Sequence, residues 1–211
     1  MDVRHRDLLI DADGVSLPGD LALPPGPTAI VAFAHGSGSS RSSPRNIAVS
    51  QRLNRDGLAT VLFDLLTEDE ARDRRLVFDI GLLSRRLSAA VERVSGEPGL
   101  GRARVGLFGA STGAAAALVA SVSIPDVGAI VSRGGRPDMA GEALERVTAP
   151  TLLIVGGADP EVLALNRKAR AWMRAQTRLE VVPGATHLFD EPGTLERVAE
   201  LASAWFVEHV T

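Results

Sequence analysis

The sequence predicts an α/β fold in which helices cover both faces of a mostly parallel central sheet. Apolar segments typical of strands alternate along the 211 residues with segments whose apolar residues have helical spacing. The connections are short, and none is long enough to hold a separate cap domain. In VGLFGASTGAAAAL, from Val105 to Leu118, a strand-like run ends in a tight turn and a small-residue helix follows. We expect one domain that spans residues 1–211.

The N-terminal elements are expected to form an antiparallel hairpin at the edge of the sheet. Leu8 to Ile10 and Val15 to Leu23 are apolar, and the sequence Asp-Ala-Asp-Gly between them suits a turn. Such a hairpin is common beside a parallel sheet. The run from Thr28 to Ala34 predicts a buried parallel strand, because it is apolar without interruption. A small polar loop, residues 35–43, follows it.

A helix is expected to begin at Pro44, since proline suits the first helical position, and to end at Asp56-Gly57. Helical spacing recurs from Leu76 to Val94 and near the end of the chain from Thr194 to His209. The charged residues between 67 and 75 predict a solvated loop and helix start. The remaining strands are predicted at Ala59–Leu65, Arg104–Gly109, Val127–Ser132, Thr151–Val155 and Leu179–Val182.

Composition excludes several classes of protein. The net charge of −3 gives no concentrated basic face, so we expect no nucleic-acid partner. The chain has no cysteine, which excludes disulfides, thiolate metal sites and a cysteine nucleophile. The first residues lack the apolar core of a signal peptide, and no apolar stretch reaches about 18 residues. We therefore expect a cytoplasmic protein without a membrane partner, as a monomer or homodimer.

Three residues that follow predicted strands suggest a catalytic site. Ligands of open α/β sheets bind at the carboxyl ends of the strands, where Ser111, Asp159 and His187 are each expected. Their order along the chain, serine then acid then histidine, is that of α/β-hydrolases and differs from chymotrypsin and subtilisin. In this interpretation Ser111 is the nucleophile, His187 is the general base and Asp159 orients the histidine ring.

Acyl transfer also needs donors for the oxyanion that forms on the substrate. The candidates are the backbone N–H of Thr112, at the start of a helix, and that of Gly36 or Ser37, after an earlier strand. His35 is expected to be a structural loop residue, because it precedes this turn. Each residue alone also has an ordinary structural interpretation. Their fixed order directly after strands favours the catalytic one.

The chain resembles the dienelactone-hydrolase-like group of α/β-hydrolases from about Pro27 to Phe206. Within that group it is most similar to bacterial hydrolases that occur alone or fused to a phosphoribosyltransferase domain, although no acidic pair followed by a phosphate-cradling loop is found here. The resemblance rests on the stretches AHGSGSSRSSPRN, FDLLTEDE, FGASTGAAAAL, SRGGRPDMAG, APTLLIVGGADPEVLALN and PGATHLFDEPG. It implies the fold and the triad positions. Dienelactone hydrolases use a cysteine nucleophile, whereas this chain has Ser111, so the lactone substrate is not implied.

Four further residues are candidates for contact with a substrate. They are Arg41, Arg133, Arg136 and Phe189. Because arginine suits carboxylate and phosphate groups, one hypothesis is a small acidic ester or lactone. The alternative is that the arginines pair with acidic residues to brace loops and that Phe189 belongs to the core. Without a cap domain, the pocket is expected to be shallow and open.

The sequence thus predicts a serine hydrolase that cleaves small carboxylic esters, thioesters or lactones through an acyl-Ser111 intermediate. Acyl transfer or peptide-bond hydrolysis by the same triad stays open, as does a non-catalytic scaffold that binds a ligand or partner. The expected partner is a small molecule. No metal or cofactor is expected, because no pair of His, Asp or Glu has ligand spacing with a distinct role.

Overall fold

The computed structural model describes residues 2–101 and 103–211. The strands in these residues are β1 (Arg4–Ala12), β2 (Val15–Leu23), β3 (Ala29–Ala34), β4 (Ala59–Phe63), β5 (Arg104–Ala110), β6 (Val127–Arg133), β7 (Thr151–Gly156) and β8 (Thr177–Val182). They form one sheet in the order β1-β2-β4-β3-β5-β6-β7-β8. The β1–β2 and β2–β4 pairs are antiparallel, and the other pairs are parallel. The predicted mostly parallel sheet is confirmed.

The predicted N-terminal hairpin is also confirmed, but its first strand is longer than expected. The pairing runs from Arg4 opposite Leu23 to Ala12 opposite Val15. In β1 only Leu8 and Ile10 are buried, because the rest of this edge strand faces solvent. An apolar pattern can mark only the buried part of such a strand, so the flanking polar residues were not predicted as strand.

Helices cover both faces of the sheet, as predicted. They are α1 (Pro44–Arg55), α2 (Arg74–Val77), α3 (Ile80–Ser95), α4 (Thr112–Ala120), α5 (Pro160–Arg170) and α6 (Thr194–Val210). Helices α1 and α6 pack together over one apolar layer, whereas α3 and α4 pack over the other. Within the part of the chain that the structure describes, no helix combines the length and apolar character needed to cross a membrane.

The helical pattern predicted from Leu76 to Val94 is interrupted in the structure. Helix α2 ends at Val77 and α3 begins at Ile80, because Asp79 caps the second helix by accepting a hydrogen bond from Leu82 N at 2.9 Å. The apolar spacing continues across this break. Periodicity alone therefore could not locate it.

The charged segment after β4 is attached to the core rather than fully solvated. Arg86 of α3 is 1% exposed and donates two hydrogen bonds of 2.7 Å to the Glu70 carboxylate. These bonds lower the pKa of Glu70 to about 2. Arg86 also donates to the carbonyl of Leu65 at 2.8 Å, in the loop directly after β4. This ion pair holds the loop beside the carboxyl ends of the strands.

We predict that Arg86→Met lowers the free energy of unfolding by about 3 kcal/mol, because Glu70 and the Leu65 carbonyl lose their shared partner. The matched control is Arg85→Met. Arg85 is exposed and, among the residues that the structure describes, forms an ion pair with Asp13 alone, so the expected loss is below about 1 kcal/mol. Urea unfolding of the three proteins measures both losses. Equal losses would show that the buried ion pair does not anchor this loop.

Candidate active site

The turn between β5 and α4 places Ser111 in a left-handed conformation, with φ 51° and ψ −120°. Two glycines make this turn possible because they leave room for neighbouring backbone. A Cβ on Gly109 would lie 2.4 Å from Ala114 Cα, and a Cβ on Gly113 would lie 2.1 Å from the Ala34 carbonyl oxygen. The turn can therefore form only where both positions lack a side chain. We call residues 109–113 the elbow.

The loop after β6 holds the elbow from the other side. The amide of Ser111 donates to the Arg133 carbonyl at 3.2 Å, and the amide of Arg136 donates to the Ser111 carbonyl at 3.0 Å. Gly134 lies between these two anchors and has φ 51°. A Cβ on Gly134 would be 3.6 Å from Cε1 of the His187 ring. Gly134 therefore separates the backbone that holds Ser111 from the imidazole.

Asp159 and His187 meet across the loops that follow β7 and β8. Asp159 caps α5, with Oδ1 accepting from Val162 N at 3.3 Å, and its Oδ2 lies 2.8 Å from His187 Nδ1. The carboxylate accepts the Nδ1 hydrogen, which leaves a lone pair on Nε2 of the neutral ring. The Asp159 side chain is 15% exposed and that of His187 is 39% exposed. The Asp159 carboxylate is thus more buried than the imidazole that it orients.

The structure joins two of the three predicted catalytic residues directly. It contains no hydrogen bond between the Ser111 hydroxyl and the imidazole of His187, although it describes both residues. Both meet the loop after β6 instead: the Ser111 backbone bonds to Arg133 and Arg136, and the His187 ring lies next to Gly134. Hydrogen bonds between a nucleophile and its base often become short only in the complex with substrate.

The loop after β3 lies against the elbow, as the oxyanion prediction requires. A Cβ on Gly36 would lie 3.0 Å from Ser111 Cβ and 3.1 Å from the Ala110 carbonyl oxygen. The amide of Ser37, however, donates to Thr112 Oγ1 at 2.9 Å. Of the two donors expected in this loop, the Ser37 amide is therefore already bonded to the Thr112 side chain, and the Gly36 amide stays a prediction. The amide of Thr112 itself, at the first position of α4, has no acceptor within the helix.

A cavity of about 840 Å³ opens beside this corner of the site. Its lining combines the loop 35–45 with the segment after β4, and Thr112 is the elbow residue that contacts it. The loop contributes several serine side chains and two arginines. The cavity is therefore polar on the side that faces the loop and is large enough for a small molecule, but Ser111, Asp159 and His187 are not among its lining residues.

Two of the arginines proposed for substrate contact already hold carboxylates. Arg41 donates from its amide and Nη1 to Asp64 at 2.8 and 2.6 Å, and its Nε lies 3.2 Å from Asp20. Arg136 donates to both oxygens of Asp138 at 2.9 and 2.8 Å. These contacts favour the alternative in which the arginines brace loops.

The third arginine, Arg133, is buried and only 6% exposed. Its Nη2 donates to Asn46 Oδ1 at 3.3 Å, which joins the end of β6 to α1. Burial, together with the nearby charge of Arg45, lowers the pKa of Arg133 to about 10, although Asp190 opposes this. The residue stays charged at neutral pH. Its burial and its bond to Asn46 favour a bracing role over contact with substrate.

Phe189 is part of the core beneath the site. Its side chain is 1% exposed and packs in the apolar layer under α1 and α6. The ring lies under Gly134, since a Cβ there would be 3.4 Å from Phe189 Cε2. The residue therefore supports the backbone between Ser111 and His187. The expectation that it lines an acyl pocket is corrected in favour of the core alternative.

His35 fits its expected structural role and joins two loops. Its Nδ1 lies 2.9 Å from the Gly36 carbonyl, and its Nε2 accepts from the amide of Leu65 at 3.0 Å. This pattern requires a neutral ring with its hydrogen on Nδ1. Burial lowers the pKa of His35 below its ordinary value of 6.5. The loops after β3 and β4 are thereby held side by side.

Asn166 supports the site without having given any sequence signal. It is fully buried on α5, and its Nδ2 donates to the Gly135 carbonyl at 2.9 Å and to the Val162 carbonyl at 2.8 Å. The first bond fixes the glycine turn beside Gly134. An asparagine inside a helix suggests a polar contact, but the sequence could not show that its partner lies 31 residues away.

Comparison with known proteins places these features in a family. The model of the dienelactone hydrolase family matches residues 17–207. A crystal structure of a dienelactone hydrolase from Anabaena variabilis is 50% identical, covers 99% of each chain and superposes with a TM-score of 0.95. Est1E from Butyrivibrio proteoclasticus is 18% identical and covers 96% of this chain and 98% of its own, with a TM-score of 0.81, which shows the shared fold.

Two curated proteins of Mycobacterium tuberculosis are also similar to this chain. Each bears the name "Putative phosphoribosyl transferase" and is 53% identical over 209 residues. The match covers 99% of this chain but 47% of each relative. The chain thus spans about half the length of the curated relatives it matches.

We predict that Gly113→Ala destabilises the protein by about 3 kcal/mol or more, because its Cβ would overlap the Ala34 carbonyl. Helix propensity alone predicts the opposite effect on stability, a gain of up to about 1 kcal/mol when alanine replaces glycine in a helix. Gly101→Ala is the control, since nothing lies within 4 Å of its Cβ position. Urea unfolding midpoints measure both changes. A stabilised Gly113→Ala protein would contradict the close approach.

We predict that wild-type stability falls as the pH drops below 6.5, partly through His35. The unfolded chain binds a proton there more readily than the folded protein, because protonation of Nε2 breaks its bond with the Leu65 amide. His35 should account for about 1 kcal/mol between pH 7.5 and 5.5. The variant His35→Gln should be less stable at pH 7.5 but lose less on acidification. If urea unfolding showed that the two proteins lose the same stability between pH 7.5 and 5.5, this role of His35 would be excluded.

Proposed function

We propose that this chain, which belongs to the dienelactone hydrolase family, is a serine hydrolase that cleaves small carboxylic esters, thioesters or lactones. Family membership supports hydrolase activity. The observation that carries the finer proposal is the 2.8 Å contact between Asp159 and His187 beside the elbow of Ser111. A hydroxyl nucleophile needs such an oriented base, because it is weakly nucleophilic at neutral pH.

In the proposed reaction, His187 Nε2 takes the proton of the Ser111 hydroxyl as its oxygen attacks the substrate carbonyl. The tetrahedral intermediate collapses when the protonated His187 gives that proton to the leaving oxygen or sulfur, which departs. This leaves an acyl group on Ser111. Water then attacks the acyl carbon with His187 again as base, the acyl–Ser111 bond breaks, and His187 returns the proton to the Ser111 oxygen, which releases the carboxylic acid and regenerates the serine. Asp159 holds the ring and stabilises its positive charge in both halves.

Family membership does not bring the cysteine chemistry of dienelactone hydrolases to this chain. The chain has no cysteine, and serine occupies the elbow. A thiol is a few per cent ionised at neutral pH, whereas a hydroxyl depends on its base for activation. The proposal therefore requires the Ser111 hydroxyl to come within hydrogen-bonding distance of His187 when substrate binds.

The proposed substrate class is set by the acyl bond rather than by a negative charge. Arg41 and Arg136 already hold carboxylates, and Arg133 is buried. A requirement for an anionic substrate consequently finds little support in these contacts. Comparing neutral and anionic esters of equal size would reveal any contribution of charge.

Phosphoribosyl transfer is not proposed for this chain. The named relatives are about twice its length, and the aligned half is the region that the hydrolase family model matches. Acyl transfer by the same triad would differ only in the acceptor. Ester turnover in water without an added acceptor would distinguish hydrolysis from acyl transfer.

We predict that a fluorophosphonate labels the wild-type protein once, at Ser111, because the probe reacts with activated serines. Ser111→Ala should not react, and His187→Ala should react at least about 100-fold more slowly without its base. Intact-mass spectrometry over time measures the rates. Ser123→Ala and His5→Gln, both remote from the elbow, are matched controls that should react like wild type. A folded wild-type protein that stays unlabelled would refute the proposed nucleophile and favour a binding scaffold.

A further inference from the structure

We propose that the Thr112 side-chain hydroxyl is a catalytic group that donates a hydrogen bond to the oxyanion of the tetrahedral intermediate. The inference rests on the proposed function of Ser111. The structural observation behind it is the 2.9 Å bond from the Ser37 amide to Thr112 Oγ1. This bond engages the Ser37 amide, one of the backbone donors that the sequence suggests for the oxyanion.

The direction of that hydrogen bond is unambiguous. An amide N–H can only donate, so Thr112 Oγ1 must be the acceptor. A hydroxyl that accepts in this way keeps its own hydrogen available for a second partner. Among the described residues no acceptor takes this hydrogen. The hydroxyl thus has a donor capacity that the fold itself does not use.

The position of Thr112 in the chain places this unused donor beside Ser111. Thr112 directly follows Ser111 and is 3% exposed, yet it is one of the residues that line the 840 Å³ cavity. Its backbone N–H begins α4 and has no helical acceptor. In the proposal, the N–H and the O–H of this residue, which directly follows Ser111, bind the same oxyanion oxygen.

The Ser37 amide then acts on the oxyanion through the Thr112 hydroxyl. By donating to Oγ1, it withdraws electron density and makes the hydroxyl hydrogen a stronger donor, because chained hydrogen bonds polarise one another. The hydroxyl is also held in one place before the reaction, so no reorganisation is needed when negative charge develops. No proton is transferred from Thr112, and the bonds made and broken in the reaction are unchanged.

A competing account assigns Thr112 a purely structural role. In that account the hydroxyl only blocks the Ser37 amide, and removing it would release this amide to bind the oxyanion directly. The two accounts predict opposite changes. If the hydroxyl is the donor, its loss slows the reaction, whereas if it blocks a donor, its loss leaves the reaction unchanged or faster.

The test is Thr112→Val, which keeps the shape of the side chain and removes the hydroxyl. We expect kcat for a short-chain p-nitrophenyl ester to fall about 100-fold with KM nearly unchanged, as for loss of one oxyanion donor. Thr112→Ser, which restores the hydroxyl, should retain most of kcat. Thr151→Val is the matched control, since this buried threonine begins β7, at the opposite end of the sheet from the elbow, and its hydroxyl donates to the Ala149 carbonyl.

A second readout uses a trifluoromethyl ketone, which forms a tetrahedral adduct with an activated serine. Its Kd should weaken in Thr112→Val by about the same factor as kcat falls, because the adduct carries the oxyanion. Thr112→Ala provides the same comparison if the valine variant does not fold. A folded variant with unchanged or higher kcat and unchanged ketone affinity would overturn the inference.

The fluorophosphonate result separates this inference from the proposed function. A wild-type protein that labels at Ser111 and hydrolyses the ester supports the function, and the Thr112 variants then decide the role of the hydroxyl. A wild-type protein that does neither refutes the function and the inference together. Labelling of wild type with full activity in Thr112→Val refutes the inference alone.

Discussion

The close approach of two stretches of backbone is the constraint on which the site depends. The end of β3 lies so near the start of α4 that a side chain at Gly113 would overlap the Ala34 carbonyl. This contact forces the chain between Gly109 and Gly113 through a sharp turn, and Ser111 consequently takes a positive φ. It also brings Gly36 against Ser111. Ser111, the proposed nucleophile, and the proposed oxyanion corner are thus positioned by backbone packing rather than by their own side chains.

Around this close approach, hydrogen bonds join neighbouring loops along the carboxyl edge of the sheet. His35 links the loops after β3 and β4, and the Ser37 amide links the first of these to the elbow through Thr112. The elbow is bonded to the loop after β6, and Asp159 joins the loops after β7 and β8 through His187. Because each loop is fixed by its neighbours, the proposed catalytic groups are oriented before substrate binds.

The sequence predicted the sheet, the hairpin and the elbow because each depends on local pattern: apolar runs, turn residues and glycine spacing. It failed where the deciding partner is distant. The roles of Arg133 and Phe189 depend on Asn46 and Gly134, which no local pattern identifies. Arg136 is different, since its partner Asp138 is two residues away, and attention to that spacing would have favoured bracing. Chain order predicted Asp159 and His187, but their contact required the fold.

The uneven burial of Asp159 and His187 suits the demands of a hydroxyl nucleophile. The acid is fixed twice, by capping α5 and by holding the ring. The ring is more exposed and is held only from its Nδ1 side. Its Nε2 can therefore turn toward the serine oxygen, the leaving group or water while the tautomer stays fixed. A rigid acid with a more accessible base lets one histidine serve both halves of the proposed reaction.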